Sequence, residues 1–500
     1  MKQHLIVIGN GMVGHHFVAA LMRQTHDYHV TVFGAEARVA YDRVHLSDVF
    51  AGRSADDLAL STAAQYTSWG VNLALGEAVT AIRRDKREVV TSKGRHLAYD
   101  KLVLATGSYP FVPPVPGHDL ERCVSYRTVD DLEKIRALAG SSQVGVVVGG
   151  GLLGLECANA LVNLGLETHV VEFAPGLMTT QLDEGGSAML RCKIEALGVQ
   201  VHTSRNTREI LARDDGSLRM SFSDDTHLDT DMLVFSAGIR PQDQLARDSE
   251  LDMGERGGIV IDERCQTSDP AIYAIGECAL YQGRIFGLVA PGYRMAETAV
   301  AAVTAGEEQF TGADLSTKLK LLGVDVGAIG DAHGRTANTL SVVYSNPKTQ
   351  TYKRLVTSAD GKYLLGAVLV GDCQDYQSLL QYYLNRTELA DVPESLMLGD
   401  NGPSAEEFAA SLPLSAMVCT CHNVSKEEIL TAIQAGHTSR ATLQSATKAS
   451  TGCGSCADLL QSLIDNERPD AAGGATVKMC DPSMDAASMA APVMQKAVGE

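Results

Sequence analysis

A short apolar run that ends in G-x-G-x-x-G and continues into a helical stretch occurs twice in this chain, and that duplication limits the fold more than any other feature. Residues 4–8 (HLIVI) read as a buried strand. Gly9, Gly11 and Gly14 follow, then a helical pattern to about Arg23 and a second strand at 29–33. The same order returns at 144–148 (VGVVV), with Gly149, Gly151 and Gly154, a helix to about Leu164 and a strand at 168–172. In each unit the first glycine permits a tight turn, the second lets a pyrophosphate approach the backbone, and the third allows close helix–strand packing. The helix N-terminus then faces the anion. Glu36 follows the second strand of the first unit, where a carboxylate can accept hydrogen bonds from an adenosine ribose. Glu172 ends the second strand of the second unit, where it favours a ribose 2′-OH and repels a 2′-phosphate, so NADH is the nucleotide expected there. Two such sites in one chain suit an enzyme that holds a flavin, FAD, in one and a nicotinamide in the other.

The remaining pattern predicts an α/β chain of several modules. Residues 101–107 (KLVLATG) read as a buried strand ending in glycine, and the proline-rich 109–116 as a domain crossover whose return is 231–241, with Gly238 at its turn. A further apolar strand, 271–278 (AIYAIGEC), and a helix at 294–305 close the unit. A discontinuous first nucleotide domain is thus expected at 1–115 and 238–308, with the second inserted at 116–237. Strand patterns at 317–322, 339–345, 351–357 and 362–370, with one helix near 374–385, predict a separate α+β module over 312–395. Residues 399–415 read as a linker, 416–466 as a small cysteine-bearing domain, and the Ala-, Gly- and Met-rich 467–500 as a disordered tail.

Charge and composition remove other classes. The formal net charge is −19, which repels phosphate backbones and anionic lipid heads, so neither nucleic acid nor a membrane is an expected partner. The longest apolar run, 144–155, is broken by glycines and too short to span a bilayer. No signal-peptide pattern precedes the first strand, and the expected compartment is the cytoplasm. Eleven cysteines, an odd number scattered thinly until four gather near the C-terminus, suit reduced thiols and one metal site better than a disulfide framework.

The order of motifs resembles the two-dinucleotide-domain flavoprotein reductases of the rubredoxin, ferredoxin and glutathione reductase type. That resemblance implies an NAD domain inserted into an FAD domain. It also implies that the strand ending in Ala105, Thr106 and Gly107 touches the flavin side. The family's later Gly-Asp motif is here Gly276-Glu277, a departure that leaves glutamate to contact the ribityl or pyrophosphate portion. Arg43, in YDRVHLS at 41–47, stands where related reductases carry a basic residue beside FAD; a surface salt bridge is the other reading. Disulfide reductases of this type need cysteines at the region occupied here by 40–50, and there are none. Flavin electrons therefore need another exit.

Cys419-Thr420-Cys421-His422 and Cys453-Gly454-Ser455-Cys456 offer that exit. Four thiolates at these spacings can hold a [2Fe–2S] cluster or a tetrahedral zinc. Only the cluster carries single electrons, and the segment resembles the small helical bacterioferritin-associated-ferredoxin-like [2Fe–2S] domain. Four thiolates complete such a site without His422. Cys157, Cys192, Cys265 and Cys373 read as core residues and Cys278 as a packing residue. His15 and His16 read as helix-surface residues, and Trp69 has no deducible role. As a whole, the chain is similar to the electron-input portion of the large subunit of bacterial assimilatory NAD(P)H nitrite reductases, and to the reductase subunit of assimilatory nitrate reductases. The resemblance implies NADH, FAD and a [2Fe–2S] cluster as cofactors and a nitrate or nitrite reductase catalytic subunit as partner. A siroheme site is not expected within these residues, because Cys480 alone follows the cluster motif. Glu156, early in the second glycine-loop helix, is the residue expected to reach the nicotinamide amide. An Fe–S redox sensor or iron-handling partner is the alternative of another class, and self-association is left open.

Overall fold

The computed structural model describes residues 2–24, 27–389, 394–398, 405–420, 422, 424–451 and 456–467. The first apolar run forms the strand Gln3–Ile8, the centre of a five-stranded sheet in the order Ile272–Ala274, Lys101–Leu104, Gln3–Ile8, Tyr28–Gly34, Asn72–Leu75. All its neighbours are parallel. Parallel strands need both faces covered, which is why they read as unbroken apolar runs. The helices Met12–Leu21 and Val289–Val303 pack against each other here. Because Gln3–Ile8 has neighbours on both sides, the chain after Ile8 opens at a topological switch point, where α/β sheets bind ligands.

The second unit repeats this plan with five parallel strands in the order Gln200–His202, Glu167–Val171, Val144–Val148, Met232–Phe235, Cys123–Ser125. Val144–Val148 is again the central strand that feeds a glycine loop. The two chain crossings meet as a short antiparallel ribbon, Ser108–Pro110 against Ile239–Pro241, so entry and exit of the second unit are hydrogen-bonded to each other.

Next comes an antiparallel sheet in the order Thr317–Leu321, Val324–Gly330, Leu364–Val370, Thr351–Ser358, Thr339–Asn346, with the helix Tyr376–Asn385 against it. Its strand Val324–Gly330 (VDVGAIG) has no counterpart in the pattern reading, because two glycines interrupt its alternation. One of them, Gly327, faces Tyr376, whose ring would lie 2.8 Å from an added Cβ. This module shares a core with the second unit: Val326, Tyr352 and Val368 pack in one cluster with Leu190 and Ile194.

In the C-terminal module the strands Met417–Cys419 and Val424–Ser425 and the helices Lys426–Gln434, Arg440–Thr447 and Ala457–Asn466 enclose their own core. Part of the stretch read as linker belongs to it. Residues Ala405–Ser411 form a helix whose Phe408 and Ala409 are buried in that core; burial of a phenylalanine contributes roughly 2 kcal/mol, enough to order a polar-looking segment. Residues 399–404 and the tail after 467 lie outside the described residues. Cys157, Cys265, Cys278 and Cys373 are buried as expected, whereas Cys192 is exposed. It sits on the outer face of the helix Glu184–Ala196, whose inward positions are taken by Leu190 and Ile194.

Candidate nucleotide cleft and cysteine site

The two glycine loops show the same internal geometry. Gly9 and Gly149 adopt φ of +114° and +121°, a left-handed region that side chains rarely enter. An added Cβ on Gly14 would lie 2.1 Å from the Gly9 carbonyl oxygen, and one on Gly154 1.9 Å from that of Gly149. These glycines let helix and loop touch. On Gly11 and Gly151, by contrast, a Cβ would meet nothing within 4 Å. Each caps its helix without a side-chain hydrogen bond, and neither helix has an acid in its first turn. The orphan N–H groups therefore face open space, an arrangement that fits a diphosphate.

A cleft of about 1730 Å³ starts at the first loop and reaches the second. Gly9, Gly11, Glu36, Arg43, Thr106, Gly107, Gly238, Gly276 and Glu277 line it, together with Gly151 and Glu156. Gly14, Gly149, Gly154 and Glu172 are not in its wall. The glutamate after the first unit's second strand is already engaged: Glu36 pairs with Arg43 and accepts from the Tyr41 hydroxyl at 2.7 Å. Arg43 thus combines both readings of its role, cleft lining and ion pair. Thr106 Oγ1 donates to the Gln242 carbonyl at 2.6 Å, tying the first domain to the chain that returns from the second. Glu277 Oε2 accepts from Ser108 Oγ at 2.6 Å and from Arg127 at 2.5 Å.

Two residues that the pattern reading omits complete the fit. Asn10 lies within the glycine loop; its Oδ1 accepts from the Tyr66 hydroxyl at 2.7 Å, and its Nδ2 is buried in the cleft wall without a protein partner. Arg127 Nε is likewise buried without one. Buried donors of this kind require a partner, and a polar ligand in the cleft would supply it. The x positions of a glycine loop are the signal that could have found Asn10; Arg127 follows a short strand and has none. His15, read as surface, instead turns inward: Nδ1 lies 2.8 Å from the Tyr66 hydroxyl, and the ring stacks on Trp69. Burial, with the neighbouring His16, brings its pKa down to about 4, so it is a neutral part of this support. His16 is also partly buried, against Tyr293.

Glu156 is largely buried, and burial pushes its carboxyl up to about 7; Asp48 adds to the rise and His45 opposes it. Below that value it holds a proton and can donate a hydrogen bond into the cleft. Glu172 binds its own loop: Gly150 N–H donates to Oε2 at 2.5 Å and Ala174 N–H to Oε1 at 2.7 Å. Each carboxylate oxygen retains a further acceptor site.

Cys419 ends the strand Met417–Cys419 and Cys456 precedes the helix Ala457–Asn466; both are buried in one core. Cys421 and Cys453 lie outside the described residues. Among the described residues no three His, Cys, Asp or Glu groups converge as metal ligands. The two cysteine segments are nevertheless tied together by His422 Nε2 and Thr451 Oγ1 at 3.0 Å. Burial lowers the His422 pKa, and the ring serves that tie. Thr420, His422 and Thr451 line the same cleft. Among the described residues no cysteine lines it; Cys278 is buried, with Sγ against the carbonyls of Leu104 and Ile275. Among the described residues, no helix is long and apolar enough to cross a membrane.

Comparison with known proteins agrees with this geometry. Residues 3–306 match the model of the family described as pyridine nucleotide-disulphide oxidoreductase, 316–387 that of the rubredoxin NAD+ reductase C-terminal domain, and 417–466 that of the BFD-like [2Fe–2S] binding domain. The chain is 55% identical over 469 residues to the nitrite reductase [NAD(P)H] large subunit of Klebsiella oxytoca, covering 93% of this chain and 49% of that one. It is 33% identical to the assimilatory nitrate reductase electron transfer subunit of Bacillus subtilis, covering 93% and 59%. The chain thus spans about half the length of the curated relatives it matches. The fold is similar to that of NADH:rubredoxin oxidoreductase from Clostridium acetobutylicum, with a TM-score of 0.66 at 21% identity over 80% of this chain and all of that one. With both glycine loops inside the first matched segment, this chain belongs to the pyridine nucleotide-disulphide oxidoreductase family, as an NAD(P)H-dependent oxidoreductase that also carries a BFD-like [2Fe–2S] binding domain.

Proposed function

We propose that the chain takes hydride equivalents from NADH at FAD and passes electrons singly through a [2Fe–2S] cluster to a nitrate reductase catalytic subunit in the cytoplasm. The observation that carries this reading is one cleft whose wall includes the first glycine loop, Gly151 and Glu156 and, from the cysteine domain, Thr420, His422 and Thr451. Residues 40–50, where disulfide reductases of this type carry their cysteines, have none, so the cysteine domain is the exit.

When bound, FAD supplies the hydride-accepting centre and the cluster the one-electron step. The chain's own residues bind and orient. Gly9, Gly11 and Gly14, with the Asn10 amide, hold a diphosphate at the first helix, and Glu36, oriented by Arg43 and Tyr41, takes the adenosine ribose. Thr106, Gly107, Gly238, Gly276 and Glu277 form the flavin side, with Arg127 fixing the Glu277 carboxylate. Gly149, Gly151 and Gly154 hold the second nucleotide, and Glu172 accepts from its ribose through its remaining lone pairs. Glu156 donates its proton in a hydrogen bond to the nicotinamide amide. Cys419, Cys421, Cys453 and Cys456 hold the cluster; two of them are buried in one core, a dry site that suits thiolate ligation.

The identity to nitrite reductase large subunits favours a second acceptor, a siroheme partner that reduces nitrite. Co-purification from native extract decides between them: molybdenum in the partner supports nitrate, siroheme supports nitrite. The cluster itself is tested by analysis of anaerobically prepared protein, which should contain about two iron and two acid-labile sulfide per chain. Cys453→Ser or Cys456→Ser should remove the iron and spare FAD. Stoichiometric zinc without sulfide would overturn the electron exit.

A further inference from the structure

The cysteine loops touch the first nucleotide domain through a row of three rings to which the electron path above assigns no part. His422, tied to Thr451, lies tilted against Tyr293 with ring centroids 6.2 Å apart. Tyr293 stacks on His16 at 4.1 Å and 12°, and His16 Nε2 is held 3.1 Å from Glu297 Oε1. Tyr293 lies on Val289–Val303 and His16 on Met12–Leu21, the two packed helices whose first turns border the cleft. All three rings are partly buried. The row therefore leads from the first glycine-loop helix to the segment that carries Cys419 and Cys421.

On its other side the cysteine domain is fixed by amides. Gln381 Nε2 donates to the Met417 carbonyl at 2.8 Å and Gln377 Nε2 to that of Val418 at 3.4 Å, so the strand that ends in Cys419 is bound to the helix Tyr376–Asn385. Tyr382 of the same helix packs against Phe408 with ring centroids 5.6 Å apart, so this side holds the domain at its first strand and first helix. The ring contact holds it at the cleft.

We propose that Tyr293, braced by His16 and met by His422, is a positioning residue that seats the cysteine loops at the mouth of the cleft and so fixes the gap over which each electron leaves. The inference rests on the FAD-to-cluster path proposed above. Electron tunnelling falls exponentially with distance, so a seat that fixes this gap would govern the rate without taking part in the chemistry. Tyr293 gains and loses no electron or proton; each electron lost by the flavin is gained by the cluster.

The test uses the full, FAD- and cluster-loaded chain, mixed anaerobically with NADH, with flavin and cluster absorbance followed in one trace. Tyr293→Ala should lower the ratio of cluster reduction to flavin reduction at least tenfold. It should also speed amide hydrogen exchange across 417–420 at least fivefold. Tyr293→Phe keeps the ring and should leave both within twofold of the parent chain. Should Tyr293→Ala fail to accumulate, His16→Ala removes the brace and should shift both readouts in the same direction. An unchanged rate ratio in the alanine variants overturns the proposal, whether or not exchange speeds up. If the parent chain reduces its flavin but never its cluster, the path itself is wrong, and that result is read before any variant is made.

Discussion

Gly154 and Gly151 stand three residues apart and should respond oppositely to the same added methyl. At Gly154 the new carbon would lie 1.9 Å from a backbone oxygen, so helix and loop must separate; overpacking of this kind costs about 1–3 kcal/mol. Gly154→Ala should therefore lower the unfolding temperature, whereas Gly151→Ala, whose methyl enters open space, should leave it unchanged and weaken NADH binding. Glu156 gives a pH test. Its folded carboxyl is raised to about 7 against an unfolded value of roughly 4.3, so the folded state holds an extra proton between those values. Stability from this group is full below the unfolded pKa, falls through that window and is lost above 7. Glu156→Gln should stabilise the cofactor-free protein at pH 8 by up to about 3 kcal/mol, and by less at pH 5.5; equal gains at both would show that the group titrates normally. Glu172 should favour NADH over NADPH at least about tenfold in kcat/KM, a factor that takes only about 1.4 kcal/mol. Glu172→Ser should narrow that ratio mainly through KM, because the ribose is remote from the reacting carbon. Equal efficiencies in the parent chain would mean that the carboxylate serves only the Gly150 and Ala174 amides.

Among the elements, the helix Ala405–Ser411 marks where the cysteine module begins to pack. A chain truncated near Asp400 loses the whole module and keeps both glycine loops. It should still reduce ferricyanide with NADH and fail to drive the physiological partner; full support of the partner would take the cluster off the path. Both glycine-loop units were legible because an apolar strand, three glycines and a helix follow in fixed order, and that order leaves little freedom of fold. Strand Val324–Gly330 was not legible, since Gly327 admits Tyr376, and Gly330 admits Tyr383, from a helix far along the chain. The helix Ala405–Ser411 was hidden for a related reason: it is short and polar, and its two core residues gain meaning only against a domain that follows it. At the site, the cleft-lining glycines could be named from spacing, while Asn10 and Arg127 could not, because their value lies in unpartnered donors that emerge only in three dimensions. Cys192 shows the same limit, since a helical pattern alone does not say which face turns outward.

At the scale of the whole molecule, the account rests on one connected cleft that joins two nucleotide sites to a cysteine domain. The family name refers to disulphide chemistry, yet among the described residues no cysteine lines this cleft, and in the proposed path the appended domain is the outlet for the electrons. The −19 charge would steer such a chain toward a partner with a basic docking face; a partner complex that weakens steeply with added salt would bear this out. The most direct measurement is an anaerobic titration of the full chain with NADH, followed by flavin absorbance and by electron paramagnetic resonance of samples frozen within a turnover. The account predicts that flavin bleaching is followed by the signal of a reduced [2Fe–2S] centre at close to one spin per chain, and that Cys456→Ser abolishes the signal while the flavin still bleaches. A flavin that bleaches fully in the parent chain while its cluster stays oxidised would contradict it.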